Sequence, residues 1–147
     1  MRVIDAYART GRARRPVIGI VECSQPGSPG DSAVLLGFRA GDGFGLAEPV
    51  QETGDADELA ARLASLAAAH GRLLVVLGST VDPAVAAIAG VDVLVADPGG
   101  ACTGVWLELA RHWQEWSDSY PAVALADHDA LTRRGYLAVL RTTPASR

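Results

Sequence analysis

The chain has 147 residues, 49% hydrophobic and 20% charged, with a formal net charge of −4. That suits one globular domain with its own core and argues against a disordered segment. All 13 basic residues are arginine and asparagine is absent, which excludes a lysine Schiff base, a pyridoxal phosphate anchor, a phosphate-loop lysine and N-glycosylation.

The charge is unevenly spread. Residues 1–15 hold five arginines (Arg2, Arg9, Arg12, Arg14, Arg15) against Asp5. Residues 133–147 hold Arg133, Arg134, Arg141 and Arg147 with no acid, so the acids concentrate in the middle. An acidic body repels a phosphate backbone, and nucleic-acid binding is not expected of it. The N-terminal arginines read either as a solvated arm pairing with the chain's own acids or as a contact for an acidic partner or RNA. Cys23 and Cys102 form no CxxC or Cys/His cluster; neither a metal nor a cofactor is expected. No apolar run reaches the ~18–20 residues of a membrane span. The basic N-terminus lacks a following apolar stretch, so a cytoplasmic location is expected.

Val17–Val21 is a short apolar run ended by Gln25-Pro26-Gly27-Ser28-Pro29-Gly30, and reads as a buried strand. Ala33–Phe38 is a second strand, and the turn Gly41-Asp42-Gly43 leads to a third at Phe44–Val50, an antiparallel beginning. Leu59, Leu63, Leu66 and His70 share one helical face, with Asp55 or Asp57 as N-cap and Gly71 at the end. Leu73–Leu77 is a buried strand, Asp82-Pro83 opens a short helix that Gly90 stops, and Val91–Ala96 is a further strand. A helix is expected over Thr103–Trp116, a strand over Ala122–Ala126, a short helix over Asp127–Arg134, and a last extended run at Tyr136–Leu140.

Strands alternating with helices over 57–126 predict an α/β fold. N-terminal antiparallel strands lead into a mostly parallel sheet with helices packed on it. The chain reads as one domain over 1–147, with an arginine-rich arm at 1–15 and a tail at 142–147. Ligands of such sheets gather at the carboxyl ends of strands. Those ends carry Glu22-Cys23-Ser24, Gly78-Ser79-Thr80, Asp97-Pro98-Gly99-Gly100 and Asp127-His128-Asp129. The most distinctive stretch runs from Gly99 to Ala110. A glycine-rich turn before a helix aims free N–H groups at negative charge, whether a phosphate or an oxyanion. Gly99 and Gly104 have GxxxxG spacing, but Val105-Trp106 follows in place of Lys-Ser/Thr, so this is no Walker loop.

Residues Gly100-Ala101-Cys102-Thr103-Gly104-Val105-Trp106-Leu107-Glu108-Leu109-Ala110 resemble the GxxxGxGxELA segment of the crotonases, the enoyl-CoA hydratase/isomerase superfamily. The resemblance covers about residues 57–110 and implies a crotonase-like fold acting on an acyl thioester or similar small carbonyl compound. It implies the Val105 N–H as an oxyanion donor, helped by Ser79 or Thr80, and Glu108 as acid/base. Gly99, Gly100, Gly104 and Trp106 would then line the substrate, and Trp106 stands where the family has a glycine.

The residues support other readings beside this one. Glu108 with Arg111, His112 and Glu115 also describes an ordinary solvated helix face. Cys102, before a helix N-terminus, is either an activated thiol meeting His128 or Asp97 across strand ends, or an inert cysteine in a small-residue turn. Asp97, Asp127, Asp129 and Glu22 suit a two-metal nuclease of RNase H-like fold, or simply helix caps. Trp106, Leu109, Trp113 and Trp116 form an apolar stripe, read as core or as a homo-oligomer interface. The second functional reading is therefore a non-catalytic binding or accessory subunit.

Overall fold

The computed structural model describes residues 10, 17–22, 32–37, 44–47, 51–88, 90–97, 103–129 and 132–142. Two antiparallel strands, β1 (Val17–Glu22) and β2 (Ser32–Gly37), make a small sheet by themselves, with Val21 opposite Ala33 and Gly19 opposite Leu35. The other strands form a six-stranded sheet: β3 (Phe44–Leu46), β4 (Gln51–Thr53), β5 (Leu73–Leu77), β6 (Val91–Val95), β7 (Ala122–Asp129) and β8 (Arg134–Thr142). Its order is β3-β8-β7-β5-β6, with β4 also on β8. β6 and β7 run parallel to β5; β8 is antiparallel to β7, β3 and β4. The fold is thus α/β with a mixed sheet.

Two helices cover opposite faces. The first, α1 (Ala56–His70), starts where the Asp55 carboxylate accepts from the Glu58 N–H at 3.0 Å. Glu58 reaches back to the Gly54 N–H at 2.8 Å, so two N-terminal donors are satisfied reciprocally. Asp55 is therefore the cap, and Gly71 at φ 73° ends the helix by donating to the Ala67 carbonyl. Leu59, Leu63 and Ala67 pack on Leu73, Val75 and Leu77 of β5, and on Ala122, Ala124, Leu137 and Val139. The second, α2 (Gly104–Ser119), lays Val105, Leu109 and Trp116 on Leu74, Val76, Val123, Leu125 and Leu140. β5 alternates between the two layers and is buried at every position, which is why its sequence is uniformly apolar.

Four expectations change. The short helix expected over Asp127–Arg134 is a β-hairpin: β7 runs on to Asp129, which pairs with Arg134, and Arg133 takes φ 54° in the turn. Asp129 accepts from the Thr132 hydroxyl at 2.7 Å, turn chemistry that resembles a cap in sequence. The helix expected after Asp82 is only a 3-10 turn, Pro83–Ala86, capped by Asp82 as expected. The strand expected over Phe44–Val50 is replaced by β3 and β4, which meet β8 at separate places. The early strands therefore do not form one antiparallel meander, the arrangement that an RNase H-like domain needs.

Candidate functional site

The start of α2 sits against the carboxyl end of β6. A Cβ on Gly104 would lie 3.2 Å from the Ala96 Cβ and 3.6 Å from the Asp97 carbonyl, so glycine lets helix and strand close up. Thr103 is wholly buried, and its hydroxyl meets the Ser32 hydroxyl at 2.5 Å, joining the hairpin to this end of the sheet. The Thr103 carbonyl accepts from Trp106 at 3.0 Å and Leu107 at 2.9 Å. The Gly104 and Val105 N–H groups belong to the first turn, which has no carbonyl partner within a helix. The Val105 side chain itself is core.

Glu108 departs most from its expected surroundings. It is only 8% exposed, on the buried side of α2 with Val105 and Leu109. Its Oε1 accepts from Arg111 at 2.8 Å, and its Oε2 lies 3.6 Å from His112 Nε2. Arg111 also reaches Asp97 at 3.7 Å, His112 reaches Glu115 at 3.4 Å, and the His112 ring stacks on Trp116 at 5.6 Å. Glu108, Arg111, His112 and Asp97 thus form one network, in which Glu108 is buried while Arg111 and Asp97 stay exposed to solvent. Arg111 clamps Oε1 with a charge-assisted hydrogen bond, while Oε2 lies beyond hydrogen-bond distance of His112.

A second group gathers at the carboxyl ends of β5 and β7. The Val81 N–H closes a turn onto the Gly78 carbonyl at 3.0 Å, and the Thr80 hydroxyl donates to the His128 carbonyl at 3.3 Å. The Asp127 carboxylate lies over Gly78, where a Cβ would collide with it, and accepts from the His128 N–H at 2.8 Å. Ser79, Thr80, Asp127 and His128 are therefore neighbours. His128 Nε2 is a buried nitrogen without a hydrogen-bond partner among the described residues.

Cys102, Gly99 and Gly100 lie outside the described residues, as does the Glu22 side chain. The proposed pairing of Cys102 with His128 or Asp97 and the glycine cradle lie there too. Among the described residues no three of His, Cys, Asp and Glu come together as a metal cluster. The tryptophan stripe divides. Trp116 is core, Trp106 is partly buried against the same cluster, and Trp113 is 49% exposed. Trp116 is thus unavailable to the interface expected of the three.

Two features escaped the sequence. A cleft of about 220 Å³ lies between α1 and β8, lined by Gln51, Arg62, Ser65, His70 and Arg141 among others, on the face opposite Glu108. The second is exposed apolar surface on strands: Val17 and Val21 on β1, which is therefore not the buried strand expected, Leu35 on β2, and Val93 and Val95 on β6. The one signal for the latter is Asp92, a charge inside an otherwise apolar run.

No family model matches the chain, and no curated protein sequence does. A solved structure that resembles it is 3-oxoacyl-(acyl carrier protein) synthase III, FabH, from Pseudomonas aeruginosa PAO1, 20% identical with a TM-score of 0.32. That match covers 71% of this chain and 50% of that one, so this chain spans about half the enzyme's length. The expected crotonase membership is corrected accordingly: no family model matches, that of the crotonases included. So low a TM-score carries no argument about function. Among the described residues no helix is long and apolar enough to cross a membrane.

Proposed function

We propose that the chain is a non-catalytic binding subunit that docks exposed apolar strand surfaces onto protein. The observation that carries this reading is the outer face of the β1–β2 hairpin. Val17, Gly19, Val21, Ala33, Leu35 and Gly37 share that face, all are exposed, and none bears a charge or polar side chain. Leu35 alone is 78% exposed. Covering one large aliphatic side chain is worth about 1.5–3 kcal/mol, so a contiguous face of them favours a partner.

The test places a photo-crosslinking residue at Leu35 in cells, with Asp57 on the exposed first turn of α1 as control. A discrete protein adduct from position 35 and none from position 57 is expected; equal yields, or none from position 35, overturn the reading. Turnover of acyl thioesters by the purified chain, abolished by Glu108→Gln, would restore the enzyme reading in its place.

A further inference from the structure

β6 is the open edge of the six-stranded sheet. The Ala96 N–H donates to the Leu77 carbonyl at 2.8 Å and the Gly90 carbonyl accepts from Leu73 at 3.4 Å. Even-numbered residues thus bond inward to β5, and Val91, Val93 and Val95 turn their main-chain groups outward. Among the described residues no strand pairs with that edge, and only the Val91 N–H has a local partner, the Ile88 carbonyl at 3.3 Å. Val93 is 42% and Val95 45% exposed, on the sheet face that α1 covers over β5.

The usual guards of an edge strand are missing. There is no lysine anywhere and no proline within β6. Its single charge, Asp92, is tied back by the Tyr120 hydroxyl at 2.8 Å and by Arg72 at 3.3 Å. The edge is long enough to pair, carries three valines at alternate positions, and among the described residues its outward main-chain groups have no partner beyond the one at Val91.

We propose that this edge pairs with β6 of a second copy of the chain, antiparallel, about a two-fold axis through Val93. The inference rests on the binding-subunit reading and names its partner at this edge. The symmetry of the strand selects the occupant: its valines, 91, 93 and 95, repeat evenly about Val93, so the edge is its own antiparallel complement, and register and charge then fix the axis. A two-fold perpendicular to the sheet keeps each face on its own side, so the axis passes through a residue. Through Asp92 it would set two carboxylates directly opposite, which is destabilising. Through Leu94 it would leave both Val91 and Asp92 beyond the paired residues. Through Val93 it aligns the whole strand: Val91 with Val95, Asp92 with Leu94, and Val93 with itself.

That register also matches the main chain. Val93 becomes a hydrogen-bonded pair, exchanging both bonds with its copy, and the Val95 N–H meets the carbonyl of Val91 in the other copy. The valines of both copies then form one apolar row, and the sheet continues across the axis.

Sedimentation equilibrium of the full chain tests this. The expected particle has twice the 15.3 kDa chain mass, and Val93→Glu weakens association by ~100-fold or more, because it sets two charges opposite in a buried pair. Circular dichroism checks that Val93→Glu, at an exposed position, stays folded. In a Cys23→Ser/Cys102→Ser background, Val93→Cys is expected to oxidise to a reducible dimer. A hydrogen-bonded antiparallel pair sets Cα atoms about 5.5 Å apart, within disulfide reach. Val91→Cys, which faces Val95, is expected to stay monomeric on a non-reducing gel.

A wild-type monomer throughout the micromolar range overturns the proposal. So does an undiminished Val93→Glu dimer, or equal cross-linking at positions 91 and 93. If the chain is monomeric yet position 35 still gives its adduct, the second copy falls and the binding-subunit reading stands. If neither occurs, both fall.

Discussion

β5 and β6 lie side by side, are of equal length, and read almost alike: Leu-Leu-Val-Val-Leu and Val-Asp-Val-Leu-Val. The first is buried at all its positions; the second exposes Asp92, Val93 and Val95. β5 has a strand on each side and a helix on each face. Among the described residues β6 pairs with one strand, and on the α1 side the 3-10 turn Pro83–Ala86 lies near it, too short to roof it. An apolar run therefore specifies a strand, while the strand's place in the sheet decides how much hydrophobic free energy it realises. The unrealised part on β6 is what a second copy would recover.

The sharpest way to break this comparison is a matched pair of truncations at register partners. Leu77→Ala is expected to lower the unfolding free energy by ~2–5 kcal/mol, because the site is sealed and leaves a cavity. Val95→Ala, directly beside it, is expected to change it by no more than ~0.5 kcal/mol in urea melts of dilute protein. Equal losses would mean that β6 is covered within the single chain.

A smaller effect probes the network between β6 and α2. Arg111→Ala removes the Glu108 Oε1 donor and the link to Asp97. It is expected to cost ~1–2 kcal/mol by the same measurement, the lower part of the range for a buried acceptor left unmatched, because Arg111 itself is half exposed. Glu108→Gln in the Arg111→Ala background should restore part of that loss, since the carboxylate charge is gone; a further loss would count against the clamp.

The smallest effect concerns the tie that holds Asp92. The hydrogen bond to Asp92 raises the Tyr120 phenol above its ordinary 10.0, and the same bond, followed by Arg72, holds the Asp92 carboxyl below 3.8. Asp92→Asn should bring the phenol down in an absorbance titration, with Tyr120→Phe assigning the band. Because the folded carboxyl lies lower than the unfolded one, its contribution to stability is present above pH 3.8 and disappears as pH falls through the folded value. The group is open to solvent, so the slope is expected to be shallow.

Where local chemistry decides, the sequence was a good guide. Asp55 caps α1, Gly71 ends it, Asp82 caps the turn after β5, and the helix after the glycine stretch starts within a residue of Thr103. It misled where one local pattern serves two structures. Asp127-His128-Asp129 has the composition of a helix cap, but pairing with Arg134, Gly135 and Tyr136 makes it strand. The site was partly legible: Ser79, Thr80 and His128 meet at one strand end, and Asp97 joins Glu108 through Arg111. That Glu108 would be clamped beneath the surface was not legible. Its helical neighbours Arg111 and His112 look the same in sequence whether they compete for water or enclose a carboxylate.

Composition alone removed lysine chemistry from this protein, and with it the commonest guard of an open strand edge. Periodicity and capping alone placed α1, β5 and the start of α2, because these depend on residues within a turn or two of one another. Only the tertiary structure set β6 outside β5, detached the hairpin from the main sheet and turned Trp116 inward while leaving Trp113 in solvent. Those choices depend on which distant strands compete for the same hydrogen bonds. Such competition is settled by the whole sheet and has no signature in any one segment.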